Sequence, residues 1–141
     1  LSHLEKVYNS QDCLMTYGSY VYAPHGEKGV EPSRYPQDII DNNSFRTDQW
    51  RASHLRTFKH KLWKEINHDD LKNDEGYYKV AYDQAIMLPL LEMAAERAVY
   101  IPEVMHVYNR INPLNVDKTK QEEQFQTAQE VRSKTPYQRL S

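Results

Sequence analysis

Residues 80–94 read VAYDQAIMLPLLEMA and residues 98–115 read AVYIPEVMHVYNRINPLN. This pair of segments decides the fold. In the first, one acid, Asp83, stands ahead of a long apolar run. Ile86, Met87, Leu88, Leu90, Leu91, Met93 and Ala94 cover most of the circumference of a helix, so the element is expected to be buried on nearly every side. Asp83 is placed to open that helix, where a carboxylate accepts from free backbone N–H groups and gains from the macrodipole. Pro89 removes an i to i−4 hydrogen bond, which predicts a kink or a restart near Leu88. Glu92, inside the apolar run, needs a partner, because an unpaired buried carboxylate is costly. Arg56 is the expected partner. Residues 99–108 form an extended segment with Pro102 marking an edge or bulge, and residues 109–115 turn the chain away.

Working outward, residues 14–22 (LMTYGSYVY) are rich in β-branched and aromatic types and read as a strand. Gly18 at mid-run marks a bulge or lets a ligand approach the backbone closely; both readings stand. Residues 1–8 carry Leu1, Leu4, Val7 and Tyr8 at helical spacing, so a short helix precedes the strand. A chain that starts on a packed helix, with no initiator Met, is expected to be a fragment or an engineered start.

Residues 50–66 are expected to be an amphipathic helix, with Leu55, Phe58, Leu62 and Ile66 at intervals of three and four. His54, Arg56 and His60, with Lys59, Lys61 and Lys64, make a basic region off that stripe. Arg56 lies between two core positions and turns inward towards a buried acid or a substrate phosphate. Residues 23–49, broken by Pro24, Pro32 and Pro36, read as a long loop that covers a site, binds a partner or stays disordered, with one helical turn over 36–41. Residues 67–76 hold His68, Asp69, Asp70 and Asp74, but the spacing matches no calcium loop or two-histidine zinc helix, so they read as a turn. His106 alternates with Tyr108 and reads as a strand residue. Residues 118–132 form a charged helix that packs weakly or on a partner, and residues 135–141 are expected to be frayed.

Composition narrows the classes. At 141 residues the chain holds one modest core. Eighteen Lys plus Arg against twenty Asp plus Glu give a formal charge of −2, which leaves no electrostatic footprint for nucleic acid or anionic lipid. The single cysteine, Cys13, forms no internal disulfide, and the sequence shows no membrane span or signal segment, so a cytoplasmic setting is expected. Eleven tyrosines and two tryptophans suit sugar and protein interfaces as well as the edge of a core.

The order TYGSY, then Trp50 followed by SHLRTF, then YDQAIMLPLLEMA, then IPEVMHVYNRINPLN closely resembles the carboxyl-terminal portion of family 2 glycosyltransferases with the GT-A fold. The resemblance covers roughly residues 1–115; residues 116–141 lie beyond it as a charged helical tail. It implies an α/β fold, mostly helices with two or three short strands. It also implies inverting transfer from a nucleotide sugar to an acceptor hydroxyl of a glycan or protein, with Asp83 as general base. Tyr17, His54 and Arg56 would face the donor or acceptor, and Tyr108, Asn109 and Asn112 would line the far wall. The family's divalent metal, Mn²⁺ or Mg²⁺, is bound through an Asp-x-Asp motif in a nucleotide-binding half that would lie upstream of Leu1. These residues alone are therefore expected to be inactive and to associate with that half or with themselves through an unpaired sheet edge.

Two other classes share most of these features. A non-catalytic module binding a glycan or a protein needs the tyrosines but not Asp83. An assembly protein would dock through its final helix.

Overall fold

The structure, a computed structural model, describes residues 2–23, 27–28, 34–109 and 121–140. It is a mixed α/β fold. Helix α1 (Ser2–Ser10) leads into strand β1 (Met15–Ala23), followed by the short strand β2 (Glu27–Lys28) and helix α2 (Gln37–Asp41). Strand β3 (Ser53–Phe58) and helix α3 (His60–Lys64) precede a small hairpin of β4 (Lys72–Asn73) and β5 (Gly76–Tyr77). Then come helix α4 (Tyr82–Ala94), strand β6 (Ala98–Asn109) and helix α5 (Gln121–Ser133).

Strand β1 is the centre of the sheet. It pairs antiparallel with β2 and β3 and parallel with β6. Met15, Thr16 and Tyr17 are all buried, so both faces of β1 are covered. Alternation then sorts the neighbouring side chains. Leu55 of β3 and Val99 and Ile101 of β6 pack with Leu4, Val7 and Cys13 on the side of α1. Met15, Tyr17, Ala98 and Tyr100 belong to the larger core built on α4. The register shifts around Gly18 on both sides of β1. A Cβ there would sit 3.1 Å from the Ile101 carbonyl oxygen and 3.4 Å from that of His54, so the glycine serves a close approach of three backbones. Pro102 falls in β6, which pairs only with β1 among the described residues, as an edge proline should.

The expected helix over residues 50–66 is not formed. Residues 53–58 are extended as β3, and only His60–Lys64 is helical. The intervals of three and four among Leu55, Phe58 and Leu62 also suit a strand followed by a short helix. The open edge of β1 favours that option, through the pairings Met15 to Phe58 and Thr16 to Thr57 and the Lys59 N–H donating to the Leu14 carbonyl. The long loop over 23–49 is likewise broken up: it contains β2, α2 and a 3₁₀ turn at Phe45–Thr47. The single turn expected over 36–41 is α2.

Helix α4 runs through Pro89 in one piece, without the expected restart at Leu88. Nine of its thirteen residues are buried, and packing on this scale outweighs one missing backbone hydrogen bond. Its buried Glu92 is paired, though not with Arg56. The Arg46 Nε and Nη2 donate to the two Glu92 carboxylate oxygens, each at 2.8 Å, and Nη1 donates to the Val131 carbonyl at 2.8 Å. Both side chains are almost fully buried.

The carboxyl-terminal segment is anchored rather than frayed. The Tyr137 N–H donates to Glu92 at 3.0 Å, its carbonyl accepts from Asn43, and its hydroxyl bonds Asp70 and the Asn67 N–H. The Leu140 N–H donates to the Met93 carbonyl at 2.9 Å. Val131 of α5 is buried in the main core.

Replacing Arg46 by Met is expected to destabilise the protein by about 3–5 kcal/mol, because it leaves a buried carboxylate without its cation. In a double-mutant cycle read by urea denaturation, Arg46 and Glu92 should couple strongly while Arg56 and Glu92 add. Additivity for both pairs would refute the assignment.

Candidate functional site

The extended course of β3 decides which side chains meet. His54 and Arg56, two residues apart on a strand, share one face, and that face looks towards the start of α4. There the chain turns into the helix through Ala81, whose φ of 51° lies in the left-handed region. Its carbonyl accepts from the Gln84 and Ala85 N–H groups, and Asp83 falls in the first helical turn rather than at the cap itself.

His54, Arg56 and Asp83, with Val80, Ala81, Tyr82 and Gln124 of α5, line an open cavity of about 220 Å³. The Asp83 Oδ1 accepts from the Gln84 N–H at 2.9 Å, and Oδ2 lies 3.4 Å from the Arg56 Nη1. The Asp83 side chain is 39 % exposed and that of Arg56 14 %. Three contacts hold the guanidinium still: Asp83, the Ala52 carbonyl that accepts from its Nε at 2.7 Å, and the Trp50 ring, whose centroid is 5.6 Å from Cζ. Burial lowers the Arg56 pKa from its ordinary value, and the Asp83 charge opposes that shift. Arg132 of α5 bonds Gln84, the Arg46 carbonyl and the Asp48 carbonyl, which ties the last helix beside the site.

The structure thus brings Asp83, His54 and Arg56 together. Tyr17 is placed elsewhere. It is buried, its hydroxyl accepts from the Tyr35 N–H at 2.9 Å, and its ring packs against Tyr35 and Tyr100. It borders a separate cavity of about 200 Å³ with Gln11, Arg34, Gln37 and Glu96. Of Tyr108 and Asn109 the backbone alone is described, paired with Tyr22 and Ala23; Asn112 lies outside the described residues. Gln124 and Trp50 were not foreseen as site residues. Gln124 carries no local signal, since it arrives from a distant helix, and Trp50 was read as part of a helix.

No Asp-x-Asp occurs in the 141 residues, and no group of three or more His, Cys, Asp or Glu placed to hold a cation occurs among the described residues. No helix among them is long and apolar enough to cross a membrane. Comparison with protein-family models, curated proteins and solved structures found no match to the chain.

Burial pushes the Tyr17 pKa up to about 12. Between pH 10 and 12 the unfolded chain gives up this proton while the folded one keeps it, so stability falls as pH rises. The expected slope is about 1.4 kcal/mol per pH unit at most. Urea midpoints measured from pH 9 to 11.5 should fall less steeply for Tyr17→Phe than for the parent protein; equal slopes would rule the effect out.

Proposed function

We propose that the protein contributes the acceptor side of an inverting, family 2-type glycosyltransferase of GT-A fold, with Asp83 as general base. The observation that carries this reading is the placement of Asp83. It is a partly exposed carboxylate at a helix start, in the wall of an open cavity, and its orientation is fixed by Arg56 and a backbone N–H. Oδ1 accepts from the Gln84 N–H, Oδ2 is ion-paired with Arg56, and both oxygens keep lone-pair capacity for a further donor. An acceptor hydroxyl in the cavity donates to that free capacity. As its oxygen bonds to the anomeric carbon, the bond from that carbon to the nucleotide diphosphate breaks and the proton passes to Asp83. Arg56 is a positioning residue that holds the carboxylate in line, and His54 and Gln124 line the cavity beside it. The donor, its diphosphate and a divalent metal belong to a nucleotide-binding half outside these residues.

In the full-length protein, assayed with a panel of uridine and guanosine diphosphate sugars and methyl glycoside acceptors, Asp83→Asn should lower kcat by roughly 10²–10⁴-fold with little change in acceptor KM. Circular dichroism should show the fold retained. Unchanged transfer would remove the base assignment. Glycan binding without transfer in the parent protein, unaffected by Asp83→Asn, would favour the non-catalytic binding module.

A further inference from the structure

A second cavity adjoins the first, and Tyr82 lines both. It measures about 390 Å³, within the range of ligand pockets, and its wall includes Trp63, His68, Tyr77 and Tyr82 over a floor containing Leu71 and Ile86. Trp63, His68 and Tyr77 form a continuous aromatic wall, with ring centroids 5.6 Å apart for Trp63 and His68 and 6.5 Å apart for His68 and Tyr77. Tyr77 and Tyr82 are 57 % and 55 % exposed, unusually open for aromatic rings in so small a protein.

We infer that this cavity is a subsite for a neutral sugar ring, the second residue of an oligosaccharide acceptor whose terminal hydroxyl meets Asp83. The inference rests on the transfer reading above and extends it to the substrate class. Three observations select this occupant. First, no Asp, Glu, Lys or Arg is among the described residues of the lining, which leaves no ion pair for a charged ligand. Second, the nearby cations are already engaged. The Lys72 Nζ lies 4.8 Å from the Tyr77 ring centroid, and the Lys134 Nζ lies 5.1 Å from that of Tyr78 and donates to the Asp70 and Lys72 carbonyls. These charges repel an ammonium ligand, and Lys134 has its donors committed elsewhere than to an anion. Third, the rings combine apolar faces with polar edges: the Tyr77 hydroxyl and the His68 Nδ1 bond each other at 3.5 Å, and the Tyr82 hydroxyl and the Trp63 indole N–H add further polar groups. A pyranose has the matching pattern, C–H bonds on its faces and hydroxyls around its rim, whereas an alkyl chain matches only the ring faces. Tyr82, as the shared wall, sets the spacing between the ring held here and the hydroxyl presented to the next residue, Asp83.

Two measurements on the full-length protein test this. With a methyl monosaccharide and the corresponding disaccharide as acceptors, Tyr77→Ala should raise the disaccharide KM by roughly three- to tenfold and leave kcat and the monosaccharide KM unchanged. Trp63→Phe should give a smaller change in the same direction. An equal effect on both acceptors, or none on the disaccharide, overturns the subsite. The second measurement needs no turnover: saturation-transfer NMR with unreacted methyl glycosides should show aromatic-to-sugar transfer that Tyr77→Ala removes. Transfer only to octyl glycosides through their alkyl chains, or none to any sugar, overturns the inference. If Asp83→Asn abolishes catalysis while no sugar contacts these rings, the subsite alone falls. If sugars contact the rings but Asp83→Asn transfers normally, the base assignment falls and the sugar site stands.

Discussion

The Arg46–Glu92 pair is the constraint on which the rest of the molecule depends. A carboxylate buried in an otherwise apolar helix is tolerable only if its charge is paired and its oxygens are hydrogen-bonded, and here partners reach it from two directions. Arg46 reaches it from the 3₁₀ turn at Phe45–Thr47, and the Tyr137 N–H from the carboxyl-terminal segment. The remaining Arg46 donor goes to the Val131 carbonyl of α5. One ion pair therefore ties the turn, α5 and the terminal segment to the last turn of α4. A short, largely buried helix held at one end also has its other end fixed, and Asp83 is in the first turn there.

Fixing α4 sets the depth of the site; the strand character of β3 sets its composition. On a helix, His54 and Arg56 would lie about 200° apart around the axis and could not address one carboxylate together. On a strand they project from the same face, and the opposite face supplies Leu55 and Thr57 to the cluster around α1. The sheet edge offered by β1 thus decides both the secondary structure of SHLRTF and the identity of the cavity wall.

This also explains what could be read from the sequence. Helices α1 and α4 and strands β1 and β6 carry strong local signals, apolar coverage or β-branched and aromatic runs, and they stand where those signals put them. Segment 53–58 is too short for periodicity to separate strand from helix, and only the edge of a distant strand settles it. The partner of Glu92 was equally hidden: the need for a cation was legible, but choosing Arg46 over Arg56 depends on how a proline-rich connection folds back. The anchoring of Tyr137 follows from the same long-range closure. At the site, Asp83 and Arg56 drew attention as an acid at a helix start and an inward arginine. Their meeting depends on the same edge of β1 that makes β3 a strand.

A structural place in the first turn of a helix and the proposed role as a base are usually alternatives for a carboxylate, but at Asp83 one geometry serves both. The Gln84 N–H and the Arg56 guanidinium that hold the carboxylate at the helix start also fix its aim towards the cavity, and a base needs that fixed aim. A purely structural cap, however, gains nothing from an open cavity in front of it, nor from an arginine itself immobilised by a tryptophan ring and a carbonyl. The left-handed Ala81 points the same way: a non-glycine residue at φ 51° costs about 1 kcal/mol and persists only where the surroundings dictate the turn. A simple cap would permit a relaxed turn with Ser or Asn preceding the helix. The strained entry instead sets Tyr82 between two cavities and Asp83 beside one of them, and the proposed reading rests on that placement.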